Sequence, residues 1–329
     1  MAREIGDQGR VLLLHESGTY ASVSGTGQWL GLVTGHTINE EMGIIPLRYL
    51  GTTDRNVDQF IDGPKDYTGT LTFHPQDWGM TFFALGSIVD AGSPSPYTHV
   101  ASELNGGASS AFTSGTLNPF PSFQIEDSHT VVGTGLNFVR TAVGCNVNTL
   151  SISAAQGEPV SVEVGYVAQN VNFSSGAATA VTEDTVRPFM WKDFQLHIPS
   201  GTVYEAVKSV NINVNNNLSP PHYLNGSEVI APPVPGNRDY EVSVTLDAAS
   251  ERTKTLWDNY FKGGSTFNMI ASFIASTGSR TAAFTFSGCK LIDMDSPTVR
   301  EGVNEQTITI RPENCVVSAN SLNQFWAPW

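Results

Sequence analysis

One pattern of rare residues occurs twice in this sequence, and it constrains the fold more than any other feature. Gly144-Cys145 is followed by Gly157 at a Cys-to-Gly spacing of 12, and Gly288-Cys289 is followed by Gly302 at a spacing of 13. Such a match indicates duplication rather than chance. The chain has 329 residues, which is more than most single domains contain. We therefore predict two similar domains in tandem.

The similarity between the two copies extends beyond these pairs. The segment from Leu14 to Tyr20 matches the segment from Leu196 to Tyr204, so the two copies start near residues 11 and 193. Residues 88–120 have no counterpart in the second copy, and their Ser, Gly, Ala and Pro content predicts an inserted loop or flap. The predicted organisation is an arm at 1–10, a first domain at 11–173, a linker at 174–192, a second domain at 193–315 and a tail at 316–329.

Both copies have the residue pattern of strands. Val210, Ile212 and Val214 alternate with asparagines, so one face of this segment is apolar and the other is polar. The 31 glycines and the frequent Ser, Thr and Asn residues suit a protein with many turns. One short helix is predicted in each copy, from Pro75 to Leu85 and from near Asp247 to Gly263. The predicted fold class is all-β, with two tandem β-sandwich or barrel domains that are each flanked by a short α-helix.

The sequence lacks the common motifs of catalytic sites. It has no Gly-x-x-x-x-Gly-Lys-Ser/Thr phosphate loop, no His-Glu-x-x-His zinc motif and no Gly-x-Ser-x-Gly elbow. The cysteines at 145, 289 and 315 fit small buried residues of a protein from a reducing compartment. We expect no enzyme activity, no cofactor and no metal. A glycosidase with two facing carboxylates stays open as an alternative.

The charge of the chain limits its partners. The formal net charge is −14, so the chain should not bind nucleic acid by neutralising phosphates, although it could repel it. No apolar run approaches the ~20 residues that span a bilayer, and we expect no membrane insertion. The N-terminus has no apolar segment, so no signal peptide is expected.

Several segments occur in an order that resembles a known family. They are Tyr49-Leu50-Gly51, the acidic loop ending at Gly63-Pro64-Lys65-Asp66-Tyr67, the helix end Ala84-Leu85-Gly86, and the alternating strand from Val160 to Val164. Together with the repeated Gly-Cys hairpin, this order resembles the tail tube proteins of long-tailed bacterial and archaeal viruses. The resemblance covers residues 11–315.

The resemblance implies a structural protein with no catalysis. In the family, six small β domains form a ring, and their inner strands join into a barrel around a channel for double-stranded DNA. Two domains per chain imply a trimeric ring with pseudo-sixfold symmetry. The implied partners are other copies of the chain, the tail terminator, tape measure and baseplate proteins, and DNA that passes without sequence-specific contacts. The implied location is the virion tail, after assembly in the host cytoplasm.

The resemblance also suggests which residues mediate assembly. Its early loops, here 51–65 and 225–238, typically reach the adjacent ring, and the charged candidates for ring stacking are Asp54, Arg55, Asp58, Asp62, Glu228 and Arg238. Ser161 and Glu163 share one strand face and are candidates for the lumen. Phe325, Trp326 and Trp329 are candidates for docking of the tail, either on the chain itself or on a neighbour. The flap and these aromatic residues leave a second function open, a virion baseplate or adhesin-type protein that binds carbohydrate.

Overall fold

A computed structural model shows a chain built mainly of antiparallel strands. It describes residues 9–16, 20–22, 27–49, 57, 59–91, 97–103, 121–130, 137–199, 201, 203–223, 227–247, 254–275, 280–295 and 304–321. The predicted all-β class is confirmed. We refer to residues 9–174 as the first half and to residues 191–321 as the second half.

Eight described strands form one continuous sheet, which we call the central sheet. In spatial order they are β3 (Gly31–Leu47), β4 (Gln59–Pro75), β9 (Ser161–Ala168), β8 (Asn137–Ala155), β12 (Val207–Asn215), β13 (Asp239–Asp247), β16 (Glu305–Arg311) and β15 (Thr281–Met294). The first four come from the first half and the last four from the second. The pairing of β8 with β12 therefore joins the two halves.

Two smaller flanking sheets pack beside the central sheet, one next to the strands of each half. The first contains β2 (Gly27–Gln28), β1 (Gly9–His15), β7 (Phe123–Thr130), the start of β8 and β10 (Asn170–Ser174). The second contains β11 (Phe194–His197), β14 (Phe267–Ile274), the start of β15, β17 (Asn314–Ser321), β6 (Tyr97–Glu103) and β5 (Gly86–Ala91). Strands β8 and β15 each run from a flanking sheet into the central sheet, and the buried apolar core lies between these layers.

The two Gly-Cys pairs are the corners at which these long strands change sheets. Gly144 and Gly288 have φ angles of +64° and +62°, a left-handed conformation that favours glycine. The cysteine that follows each glycine is fully buried, and burial raises the pKa of the Cys145 and Cys289 thiols. Buried neutral thiols are poor nucleophiles, so these residues serve packing.

Replacing Gly144 with alanine should destabilise the fold by about 2–3 kcal/mol, because a left-handed L-residue costs roughly 1–2 kcal/mol and the new methyl group must displace a neighbour. A Cβ there would lie 2.9 Å from Cζ of Tyr20. Gly157→Ala is the matched control, since Gly157 also has a positive φ, of +90°, but has open space around its Cβ position. Urea unfolding should show a larger loss for Gly144→Ala, and equal losses would contradict the steric argument.

The two predicted helices are present and are short. Helix α1 (Gly79–Leu85) begins after the Asp77 carboxylate accepts a hydrogen bond from the Gly79 amide at 3.1 Å, and it ends at the left-handed Gly86. The second helix is a π-helix (Leu256–Lys262) rather than the expected α-helix. Its last turn is closed by the Gly263 amide, which donates to the carbonyl five residues earlier.

The predicted flap and tail both need correction. Residues 86–91 and 97–103 form a β-hairpin, and its strand β6 pairs with β17 of the second half, with Ala101 opposite Val317. The turn-rich composition hid this pairing, which depends on a strand distant in sequence. Strand β17 continues to Ser321, so residues 316–321 are not a tail; residues 104–120 and 322–329 lie outside the described part of the chain.

Candidate assembly surfaces

The central sheet has one apolar face and one polar face. Its apolar face packs into the core through residues such as Ile152, Val164 and Ile212. We call the opposite side the open face; it carries mainly hydroxyl and amide side chains, namely Thr37, Thr70, Thr72, Ser151, Ser153, Ser161, Glu163, Asn211, Asn213, Ser243, Thr245, Thr307 and Thr309. The face continues across the junction of the halves, where the Ser151 hydroxyl donates to Oδ1 of Asn211 at 3.1 Å.

Ser161 and Glu163, the candidates for the lumen, both lie on the open face. Ser161 is opposite Ser153, and Glu163 is opposite Ser151 on one side and Thr72 on the other. These two residues therefore share one polar face of the central sheet.

The outer parts of β3 and β4 extend beyond the central sheet as a two-stranded hairpin arm, which we define as residues 40–47 and 59–66. Strand β9 pairs with β4 only from Tyr67 onward, whereas β3 pairs with β4 out to Leu47. The arm exposes a cluster of apolar side chains, with Phe60 66% exposed and with Met42, Ile44, Ile45 and Ile61 also exposed. Ile45 lies opposite Ile61, whereas Ile44 and Phe60 lie on the other face of the hairpin, so both faces carry exposed apolar side chains. Exposed apolar residues of this kind mark an interaction surface.

The six candidates for ring stacking fall into three groups. Asp62 is exposed on the arm, opposite Ile44. Glu228 and Arg238 instead make contacts between the two halves of the same chain. Asp54, Arg55 and Asp58 lie outside the described residues, as do the docking candidates Phe325, Trp326 and Trp329.

The contacts of Glu228 and Arg238 join the second half to the first. The Glu228 carboxylate lies 2.5 Å from Nζ of Lys65. The backbone carbonyl of Glu228 also accepts a hydrogen bond from the Lys65 backbone amide at 3.0 Å. The Arg238 guanidinium donates to Oδ1 of Asn216 at 2.7 Å and to the Leu85 carbonyl at 3.1 Å, at the C-terminal end of α1. A cation beside the last carbonyls of a helix is favourable.

The two end strands of the central sheet present backbone edges. Among the described strands, the last part of β15 pairs only with β16, and β3 pairs only with β4. The interior strand β8 has partners on both sides in the corresponding stretch, since it pairs with β9 and with β12. Unpaired strand edges are templates for pairing with another chain.

A buried ionic network lies between the central and flanking sheets of the first half. The Asp127 carboxylate is 2.8 Å from Nε2 of His129, 2.9 Å from Nη2 of Arg140 and 3.3 Å from Nδ1 of His36. Nε2 of His36 is 2.8 Å from the Tyr166 hydroxyl. Burial alone would raise the pKa of the Asp127 carboxyl, but the hydrogen bond from His36 and the nearby His129 and Arg140 outweigh it and lower that pKa.

One cleft, of about 470 Å³, is lined by Gly27, Gln28, Trp29, Asp77 and residues 181–185. Burial raises the pKa of the Asp77 carboxyl to about 7, against the opposing hydrogen bond from Gly79. Asp77 therefore has a structural role, because its carboxylate accepts the hydrogen bond that starts α1. Within the described part of the chain, no group of three or more His, Cys, Asp and Glu residues is placed to hold a metal ion.

The comparison with known families adds the decisive observation. A family model described as phage tail tube protein matches residues 6–318, nearly the whole chain. The chain belongs to the phage tail tube protein family. A search of curated proteins found no match. Family membership establishes a structural subunit of a virion tail, which assembles with itself into a stacked tube.

Family membership also indicates what kinds of contact the surfaces described above can make. A tube subunit needs a surface toward the channel, contacts around the ring and contacts between rings, and a non-enzymatic role follows from the family. Among the described residues, no helix combines the length and the apolar character that crossing a bilayer requires.

Sequence reasoning missed the Asp127 network and the junction of the halves. The sequence contains a pattern that could have revealed the network. Asp127 and Arg140 lie 144 residues before Ala271 and Phe284, the same offset that separates the two cysteines of the Gly-Cys pairs. Charged residues in the first half at the places of apolar residues in the second are therefore visible once the two Gly-Cys pairs are aligned.

Proposed function

We propose that this chain consists of two tandem tube domains and that three copies form one ring of the tail tube with pseudo-sixfold symmetry. The observation that carries the proposal is the pairing of β8 with β12, which joins the halves into one central sheet. Strand β15 of the second half matches β8 of the first, and β3 of the first half matches β12 of the second. Strands β15 and β3 are the two that keep an open edge. A neighbour's β3 would therefore pair with β15 as β12 pairs with β8.

The strand registers define this joint between neighbouring chains. Leu150 of β8 pairs with Val164, and Met294 of β15 pairs with Ile308, so Leu150 and Met294 hold matching places. Glu40 and Val214 hold matching places on β3 and β12, since they pair with Tyr67 and Tyr240. Leu150 lies opposite Val214 in the joint within the chain. The joint between chains would accordingly place Met294 opposite Glu40 of the next chain.

Ring closure would remove the open edges and form a channel. Three chains with eight central strands each give 24 strands. At a strand spacing of about 4.8 Å, such a barrel measures roughly 37 Å between opposite backbones, and strand tilt widens it further. In a closed barrel every strand has a neighbour on both sides, so no backbone edge is left unpaired. Such a channel has room for a DNA double helix.

The open face would line this channel. Its small hydroxyl and amide side chains can contact water, and Glu163 adds negative charge. The one described lysine beside this face at β12, Lys208, is held by Asp247 at 2.9 Å and by Glu305 at 2.7 Å. Lys290 and Arg311 lie exposed opposite each other near the β15 edge of this face. The rest of the face offers hydroxyl, amide and acidic side chains to phosphates, which favours passage of DNA without retention.

Imaging of the purified assembly, together with a cysteine pair, tests this proposal. Glu40→Cys and Met294→Cys in one chain should form a disulfide between neighbours, and the covalent series should end at three chains. The native thiols of Cys145, Cys289 and Cys315 are buried, so their background is low. Particles that remain monomers, or rings with six identical whole chains, would overturn the trimeric ring.

The hairpin arm would contact the adjacent ring in the stacked tube. Replacing Ile44 and Phe60 with serine should leave rings intact and shorten the tubes several-fold, because each exposed apolar side chain that becomes buried at an interface stabilises it by roughly 1–2 kcal/mol. Tube length measured by electron microscopy reports the effect. Ile274→Ser, an exposed residue on β14, is the matched control. Tubes of normal length in the arm variant would exclude the arm as the stacking element.

The remaining partners follow from a tube of this kind. The two ends of the tube would contact a tail terminator protein and baseplate proteins, and the channel would hold the tape measure protein before DNA passes. Assembly would take place in the host cytoplasm. Co-purification of tubes with these tail components from infected cells would test each contact.

A further inference from the structure

Two matching surfaces in the flanking sheets differ in what covers them. Counting from the Gly-Cys pairs, the matching residues are Asp127 and Ala271, His129 and Phe273, Phe138 and Ala282, Arg140 and Phe284, and Phe173 and Val317. The second-half set is buried. In the first half, by contrast, Phe173 is 61% exposed and Phe138 is 39% exposed. We call Phe138, Arg140 and Phe173 the acceptor patch.

The first half of the same chain covers the second-half surface. Trp78, which directly precedes α1, packs with its ring centroid 4.7 Å from that of Phe273 and 5.1 Å from that of Phe284. Phe189 of the linker packs against Trp78 at 5.3 Å. Strand β6 covers the outer edge of β17. This surface is therefore the acceptor for the preceding half.

The side chains of the acceptor patch also pack against one another, but no described part of the chain covers them as Trp78 covers Phe273 and Phe284. The rings of Phe138 and Phe173 meet edge to face at 4.4 Å, and the Arg140 guanidinium lies 5.9 Å from the Phe138 centroid. Asp127 holds Arg140 in place from below at 2.9 Å. Two adjacent exposed aromatic residues beside an anchored cation form a preorganised docking surface.

We propose that the acceptor patch receives the second half of a neighbouring copy of this chain, with the neighbour's Trp257 in the place that Trp78 takes within the chain. The inference rests on the proposed ring and names the contact that would join its chains. Trp257 is 41% exposed at the start of the π-helix. Tryptophan is also the aromatic residue that binds a guanidinium best, which suits a patch with Arg140 where the second half has Phe284.

The two helices hold matching places, which supports this assignment. Phe83 of α1 packs against Phe123 at 4.8 Å, and Tyr260 of the π-helix packs against Phe267 at 4.8 Å. Phe123 and Phe267 lie opposite the cysteines of the two Gly-Cys pairs. Trp78 precedes Phe83 by five residues and Trp257 precedes Tyr260 by three, so both tryptophans lie near the N-terminal ends of their helices without holding the same helix position.

The joint between chains would differ from the joint within the chain in one respect. The hairpin of β5 and β6 reinforces the joint within the chain by pairing with β17. In the second half, the π-helix ends at Lys262 and β14 begins at Phe267, so no such hairpin follows it. The edge of β10 would be left without this reinforcement, and a ring should open first between chains.

A cysteine pair tests the contact directly in the full-length chain. Phe173→Cys with Trp257→Cys should form disulfides between neighbours, and the covalent series should end at three chains. If assembled rings show no such link while the Glu40→Cys and Met294→Cys pair does link, the inference is overturned and the ring stands. If the wild-type chain forms no rings and neither pair links, the proposed function itself fails.

A single substitution provides an independent measurement. Phe173→Ser should raise the concentration needed for ring assembly at least about tenfold, since aromatic residues at the centre of an interface contribute most of its affinity. The monomer should keep its urea midpoint, because Phe173 is largely exposed. Val89→Ser is the matched control, with 61% exposure on β5. Equal assembly by the two variants would overturn the inference.

Discussion

Trp78→Ala is expected to lower the free energy of unfolding by about 3–5 kcal/mol, the range for truncating a large buried aromatic residue. Trp78 is buried and packs against Phe189, Phe273 and Phe284, so its removal leaves a cavity at the junction of the halves. Urea unfolding followed by circular dichroism measures the loss.

The variant should also separate the unfolding of the two halves. Because Trp78 lies in the first half and two of its partners lie in the second, its loss weakens their coupling more than either core. Trp78→Phe is the control, since it keeps an aromatic ring at the site and should lose less than half as much stability. A loss below about 1 kcal/mol for Trp78→Ala would show that the junction does not depend on this side chain.

Asp127→Ala is expected to cost about 2–4 kcal/mol. Breaking a buried ion pair typically costs 3–5 kcal/mol, and the partial exposure of Arg140 and His129 lowers that range here. The substitution leaves Arg140 and His36 without their carboxylate. Thermal or urea unfolding at pH 7 measures the effect, and a neutral result would contradict the network's stabilising role.

The effect of Asp127 should depend on pH in a defined direction. The pKa of its carboxyl in the folded chain is lowered from the ordinary value of 3.8. A lowered folded pKa gives stability that is fully present above the unfolded pKa and is lost as the pH falls through the folded pKa. The difference between wild type and Asp127→Asn should therefore shrink below about pH 4, and a constant difference would contradict the assignment.

A combined variant separates the charge from the shape of the site. His36→Val, Asp127→Ala and Arg140→Phe together copy Val210, Ala271 and Phe284, which fill the matching places in the second half. Replacing a buried ionic network by packed apolar residues is often neutral or stabilising. The triple variant should therefore be more stable than Asp127→Ala alone. It should also alter ring assembly, because it removes the cation of the acceptor patch.

One similarity in the sequence proved to be misplaced in the structure. Leu14-His15 and Leu196-His197 match by residue type, yet Leu14 pairs with Gln124 whereas Leu196 pairs with Ala271. Counted from the Gly-Cys pairs, Ala271 matches Asp127, so the two strands are three residues apart in register. Residue-type matches that extend into a turn do not define a strand register, because the register is set by the side chains that packing buries and by the turn geometry.

The sequence by itself determined the elements that depend on local chemistry. Alternating residues such as Val210 and Ile212 specify strands, the left-handed Gly144 specifies a corner, and Gly86 specifies a helix end, because each depends on the backbone and its nearest neighbours. Only the tertiary structure decided which strand edges are paired. The pairing of β6 with β17, the burial of Trp78 and the exposure of Phe173 all depend on contacts between residues far apart in the chain, where packing free energy outweighs local preference.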